Sequence, residues 1–72
     1  MQLIDAIKKE QAERGLSDAG LSRLLGVDAS LWSRVKRGER PPGAKFLRGV
    51  MAHLPELTFD VMNYMRGEDG QD

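Results

Sequence analysis

The stretch LSDAGLSRLLGVDASLWSRVKRG, residues 16–38, decides the fold. Leu21, Leu24 and Leu25 recur at helical spacing up to Gly26, and Trp32 and Val35 do the same before Gly38. The spacing predicts two short helices, at about residues 18–25 and 29–37, flanking a tight Gly26-Val27-Asp28 turn with both inner faces apolar. Val27 is placed to plug the core between them. Ser17 and Asp28 each stand just ahead of a helix, where a side-chain oxygen can accept an otherwise unpaired amide N–H. Gly26 and Gly38 suit the left-handed backbone that closes a helix.

Outward from this stretch the pattern stays helical, and nothing sustains a period of two. A first helix over residues 2–14 carries Leu3, Ile4 and Ile7 inward and closes at Gly15. A fourth over 43–54 carries Phe46, Leu47, Val50, Met51 and Leu54 on one side until Pro55 ends it. A fifth over 58–66 has Thr58 as its cap, Leu57 and Met62 spaced as a hydrophobic staple, and Asp60 near the positive helix end. The expected fold class is all-α, a compact five-helix bundle. Residues 1–66 form one domain, and residues 67–72 a disordered tail.

At 72 residues there is room for one domain with a thin core and none for a separate catalytic domain. Dimerisation would add to a stability of only a few kcal/mol. The absence of cysteine removes disulfides and thiolate metal sites and suits a reducing cytoplasm. No apolar run approaches the roughly 20 residues of a membrane span, and the N-terminus lacks a signal-peptide core. Met1 and the polar tail fit a complete small protein.

The formal net charge is zero, but it is unevenly distributed. Residues 1–22 set Lys8, Lys9 and Arg14 against Asp5, Glu10, Glu13 and Asp18, for −1. Residues 23–48 set Arg23, Arg34, Lys36, Arg37, Arg40, Lys45 and Arg48 against Asp28 and Glu39, for +5. Residues 49–72 set Arg66 against Glu56, Asp60, Glu68, Asp69 and Asp72, for −4. A polyanion would therefore meet the middle of the chain.

Leu16-Ser17, Leu21, Leu24, Leu25-Gly26-Val27, Ser33, Val35 and Arg37-Gly38 resemble the signature of the phage-repressor and Cro-type, lambda-repressor-like helix-turn-helix family, also called the xenobiotic-response-element family. Arg40-Pro41-Pro42 is similar to that family's basic, proline-containing turn, so the resemblance spans roughly residues 2–55. It implies a domain whose third helix enters the DNA major groove while the start of the second sits against phosphate. The expected function is that of a cytoplasmic, nucleoid-associated transcription regulator, a repressor that binds a palindromic operator as a dimer and controls a phage, a mobile element or a host gene. The expected partners are double-stranded DNA and a second copy or a partner protein, with no membrane, metal or cofactor.

Physical chemistry assigns roles within that frame. A helix that buries Trp32 and Val35 turns Ala29, Ser30, Ser33, Arg34 and Arg37 outward. The expected base-reading residues are Ala29, Ser30, Ser33 and Arg34. Arg34 leads because a guanidinium can donate twice to guanine O6 and N7, whereas Ala29 and Leu31 offer only apolar contact. The expected phosphate contacts are Ser17, Arg23, Lys36, Arg37, Arg40 and Lys45. The candidates for a dimer interface are Leu57, Val61, Tyr64 and Met65, and Met51, Met62 and Met65 fit either core filling or an adaptable partner surface.

Three residues depart from the family pattern. Asp18 is an anion where the family often has a phosphate-contacting glutamine, and it either repels phosphate or favours the helix start. Gly20 lies inside a helix, which points to close packing or to a tolerated weakness of about 1 kcal/mol. Trp32 replaces an aliphatic residue and either packs in the core or stacks on a partner.

No catalytic arrangement emerges, because no serine has a spaced histidine partner and the glycines mark helix ends. His53, with no second histidine, is read as a packing or surface residue. The chain is thus expected not to be an enzyme. The competing function is a protein-interaction module, antitoxin-like or anti-regulator, that keeps the fold without reading DNA. Leu31, Ala29 and Ser30 favour it, and the +5 segment opposes it.

Overall fold

The computed structural model describes residues 2–67. Among them the chain forms five α-helices and no strand: α1 (Gln2–Arg14), α2 (Asp18–Leu25), α3 (Leu31–Lys36), α4 (Ala44–His53) and α5 (Thr58–Met65). A single 3-10 turn, Pro55–Leu57, joins α4 to α5. The expectation of a disordered tail concerns residues that, apart from Gly67, lie outside the described ones.

One apolar core holds the helices. Leu3, Ile4 and Ile7 come from α1, Leu21 and Leu25 from α2, and Trp32 and Val35 from α3. Phe46, Leu47 and Val50 come from α4, with Leu54, Leu57 and Val61 beyond it. Leu24, Val27, Leu31 and Met51 are half-buried against this core. α2 packs on both α3 and α4, while α1 packs on α5 and the 3-10 turn. Burial of this apolar surface, about 25 cal/mol per Å², is the main term that orders such short helices.

The helix ends follow local chemistry. Gly15 and Gly26 adopt φ values of +66° and +74°, the left-handed region open to glycine, at the ends of α1 and α2. The Ser17 Oγ accepts the Gly20 amide at 3.0 Å and caps α2. A Cβ on Gly20 would stand 3.2 Å from that hydroxyl, so this glycine leaves room for the cap rather than for a neighbouring helix.

Several boundaries and faces differ from the sequence expectation. α3 begins at Leu31, not residue 29, because the Asp28 carboxylate accepts both the amide and the hydroxyl of Ser30, at 3.2 and 2.7 Å. That closes a turn of its own before the helix starts. Thr58 does not cap α5; its hydroxyl donates backwards to the Pro55 carbonyl at 2.8 Å and closes the 3-10 turn. Met62 and Met65 are exposed rather than core-filling, and Leu57 and Val61, expected at a pairing surface, are buried at 7% and 0% exposure.

Two buried positions hold no apolar side chain. Ser22 is fully buried, and its Oγ accepts the Trp32 amide at 3.4 Å, so α2 supplies a hydrogen bond to the first turn of α3. Gly49 is buried where α4 meets the end of α2, and a Cβ there would collide with the Leu25 carbonyl oxygen. The two helices approach this closely only because residue 49 is glycine.

Candidate nucleic-acid interface

The basic middle of the chain is built around α3, whose inner side is fixed by packing and by a polar network. Trp32 is fully buried and lies nearly parallel to Phe46, with ring centroids 6.0 Å apart and planes 10° apart. Its indole N–H donates to the Gln11 Oε1 at 2.8 Å. The Gln11 amide nitrogen donates in turn to the Leu16 carbonyl and to the Asp18 Oδ1, both at 2.9 Å. The Lys36 Nζ donates to both oxygens of Asp18 at 2.9 Å. α1, α2 and α3 are thus tied through Gln11, Asp18 and Lys36, with the one buried N–H of the tryptophan satisfied. The Lys36 hydrogen bond, followed by that of Gln11, holds the Asp18 carboxyl below its ordinary value of 3.8.

The outer side of α3 is different. The Arg34 side chain is exposed and makes no hydrogen bond or ion pair among the described residues. It faces a cleft of about 320 Å³ that also gathers Arg40, Lys45, Val27, Asp28 and Leu31. Three cations from α3, the α3–α4 turn and α4 thereby surround one concavity, with a single carboxylate among them. The hydrogen bonds from Ser30 hold that carboxylate, Asp28, below its ordinary range, and the nearby charges of Arg34 and Arg40 add to the effect. A cleft with this excess of unpaired cations attracts an anion.

The remaining expected contact residues divide by what already engages them. Ala29 and Ser30 are exposed, in the turn before α3, and the Ser30 hydroxyl is turned to Asp28. The half-buried Ser33 hydroxyl accepts from the Arg37 guanidinium at 2.7 Å. That guanidinium also forks onto Glu39 at 2.8 and 3.2 Å. Lys36 is held by Asp18, and the Ser17 hydroxyl by the Gly20 amide. Arg23, Arg40 and Lys45 are exposed without such a partner among the described residues. Sequence reading therefore located the cationic helix and its two neighbours, but ranked Lys36 and Arg37 with the free cations.

It also missed Gln11, Ser22 and Glu39. Gln11 could have been found, since it continues the four-residue spacing of Leu3 and Ile7 onto the buried face of α1. Glu39 gave only proximity to Arg37 in sequence, which does not specify a forked contact.

Of the expected pairing residues, Tyr64 is half-buried and Met65 is 64% exposed. The large apolar side chains open to solvent on α5 are Phe59, Met62 and Met65. Among the described residues no group of three or more histidine, cysteine or acidic side chains could hold a metal, and no helix is long and apolar enough to cross a membrane.

Comparison with known proteins finds no matching family, no matching curated protein and no matching solved structure.

Proposed function

We propose that this chain is a lambda-repressor-like helix-turn-helix protein of the phage-repressor and Cro type, acting as a sequence-specific, dimeric transcription repressor on a palindromic operator. In this proposal α2 and α3 are the two helices of the motif, and α3 enters the major groove. The observation that carries it is the cleft of Arg34, Arg40 and Lys45 on the outer side of a helix whose inner side is locked by Trp32, Gln11 and Asp18. A rigid helix with unpaired cations around its outer edge matches what duplex recognition requires: a fixed pose, phosphate neutralisation and one guanidinium free for a base edge.

Within this proposal Arg34 reads a base, with Ala29 exposed for apolar contact, while Arg23, Arg40 and Lys45 neutralise phosphate. Phe59, Met62 and Met65 provide the surface through which two copies pair, placing their α3 helices in grooves about 34 to 36 Å apart. The site of action is the cytoplasmic nucleoid, and no chemistry is catalysed.

Selection from a random duplex pool, followed by affinity for the winner and for a scrambled duplex at two salt concentrations, tests the proposal. A palindrome preferred at least about 1,000-fold is the expected result. Weak, salt-sensitive binding with no enriched sequence would overturn it.

A second reading, a protein-interaction module of antitoxin-like or anti-regulator kind, is favoured by one observation. The exposed Phe59, Met62 and Met65 form an apolar surface on a 72-residue chain, and Lys36 and Arg37, two of the seven central cations, are already engaged internally. It predicts association that is insensitive to Arg34 and abolished by Phe59→Ser with Met62→Ser.

A further inference from the structure

A second cleft, of about 480 Å³, opens where α1, the end of α3, the α3–α4 turn and α5 meet. Its floor is apolar: Ile4, Val35 and Pro42 are buried, and the half-buried Tyr64 forms part of the wall. Four cations line it, and two have their charge satisfied elsewhere: Lys36 by Asp18 and Arg37 by Glu39. The side chains of Lys8 and Arg40 are exposed and make no hydrogen bond or ion pair among the described residues, and the Tyr64 hydroxyl has no hydrogen-bond partner there either. One carboxylate, Asp5, stands on the same rim. Arg40 also lines the cleft of Arg34 and Lys45, so one guanidinium is shared between the two concavities.

These features narrow the chemistry of a ligand. Two unpaired cations against one carboxylate leave a single positive charge in excess, which suits a monoanion, and Asp5 repels any second negative group. The Lys8 ammonium, the Arg40 guanidinium and the Tyr64 hydroxyl are donors without acceptors, and a carboxylate supplies two acceptor oxygens. Below them the buried floor offers a polar group nothing to bond, so the rest of the ligand must be apolar. The fixed φ of Pro42 and the core packing of Ile4 and Val35 form this floor in advance. The cleft falls within the roughly 300 to 1,000 Å³ usual for small-molecule sites.

We propose that this cleft binds an apolar monocarboxylate, with its carboxylate between Lys8 and Arg40 and its hydrocarbon body on Ile4, Val35 and Pro42. On the DNA-binding reading above, the bound acid also withdraws Arg40 from phosphate and so releases the duplex. By linkage, duplex binding weakens the acid by the same factor.

Octanoate is the probe, with acetate for the charge alone and octanamide for the apolar body alone. Amide NMR shifts at Lys8, Gly38 and Tyr64 should move and saturate with octanoate at a Kd of about 1 mM or below. Acetate and octanamide should each bind at least about tenfold more weakly, as should octanoate to Lys8→Gln. Equal binding of octanamide, or shifts centred on Phe59, Met62 and Met65 instead, would overturn the site. With the selected duplex at about 50 mM salt, saturating octanoate should weaken binding about fivefold relative to the same concentration of acetate. Lys8→Gln should bind the duplex as the natural chain does and lose that response. A duplex affinity unchanged by octanoate would overturn the coupling through Arg40. Saturable shifts at the cleft with no duplex binding by either chain would retain the site and overturn the DNA reading instead.

Discussion

The two sides of α3 carry cations of the same kind in opposite situations. On the inner edge Lys36 donates to both oxygens of Asp18, which is itself held by Gln11, which in turn holds the indole of Trp32. On the outer edge the Arg34 side chain stands with those of Arg40 and Lys45 around an open cleft, without a hydrogen bond or ion pair among the described residues. Charge counted along the sequence weighs all four alike. The difference is whether a carboxylate reaches the cation from another helix: those that are reached hold the fold, and those that are not remain available to an external anion.

The largest effect should come from breaking the inner side. Trp32→Ala removes the ring stacked on Phe46 and leaves Gln11 without its donor, and a loss of about 3 to 5 kcal/mol should leave the chain largely unfolded by circular dichroism. A melting curve close to that of the natural chain would mean the network does not hold α3. Gly49→Ala should cost about 1 to 3 kcal/mol in urea denaturation, because the added methyl forces α4 away from the Leu25 carbonyl.

Changes to the outer side should spare stability and alter binding. Arg34→Ala is expected to forfeit about 1 to 3 kcal/mol of discrimination between the selected and scrambled duplexes. Arg40→Ala should weaken both duplexes alike, and equal losses of preference from the two variants would contradict the division of roles.

The smallest effect sharpens the comparison through pH. Because Asp18 titrates below its ordinary value of 3.8 when folded, the stability it contributes is present above that value and is lost as pH falls through the folded value. The Asp18 and Lys36 side chains are each about one-third exposed, so the gain is screened to less than about 1 kcal/mol. Thermal melts between pH 5 and pH 2 should show a shallower loss for Asp18→Asn than for the natural chain. Parallel curves would remove Asp18 from the account.

Much of this was legible in the sequence. The glycines after α1 and α2, the Ser17 cap and the apolar faces of α1, α3 and α4 follow from spacing and backbone preference alone, and each stands where that reading puts it. The start of α3 was not, because two structures compete for residues 28–30 and the Ser30 hydroxyl decides between them. Nor was the surface of α5. Leu57 and Val61 turn into the core while Phe59, Met62 and Met65 turn out, a choice made by how α5 docks on α1 and α4. Gln11 and Glu39 were overlooked for a shared reason: a polar side chain reads as surface until its partner on another element is known.

The most direct test of the division between engaged and available cations is the salt dependence of duplex binding. The logarithm of affinity falls with the logarithm of salt by about 0.9 per phosphate neutralised. Arg40→Gln and Lys45→Gln should each make that slope shallower by about 0.9, while Lys36→Gln, once shown to be folded, should leave it unchanged. A slope altered by Lys36→Gln as much as by Arg40→Gln, or by neither, would contradict the account.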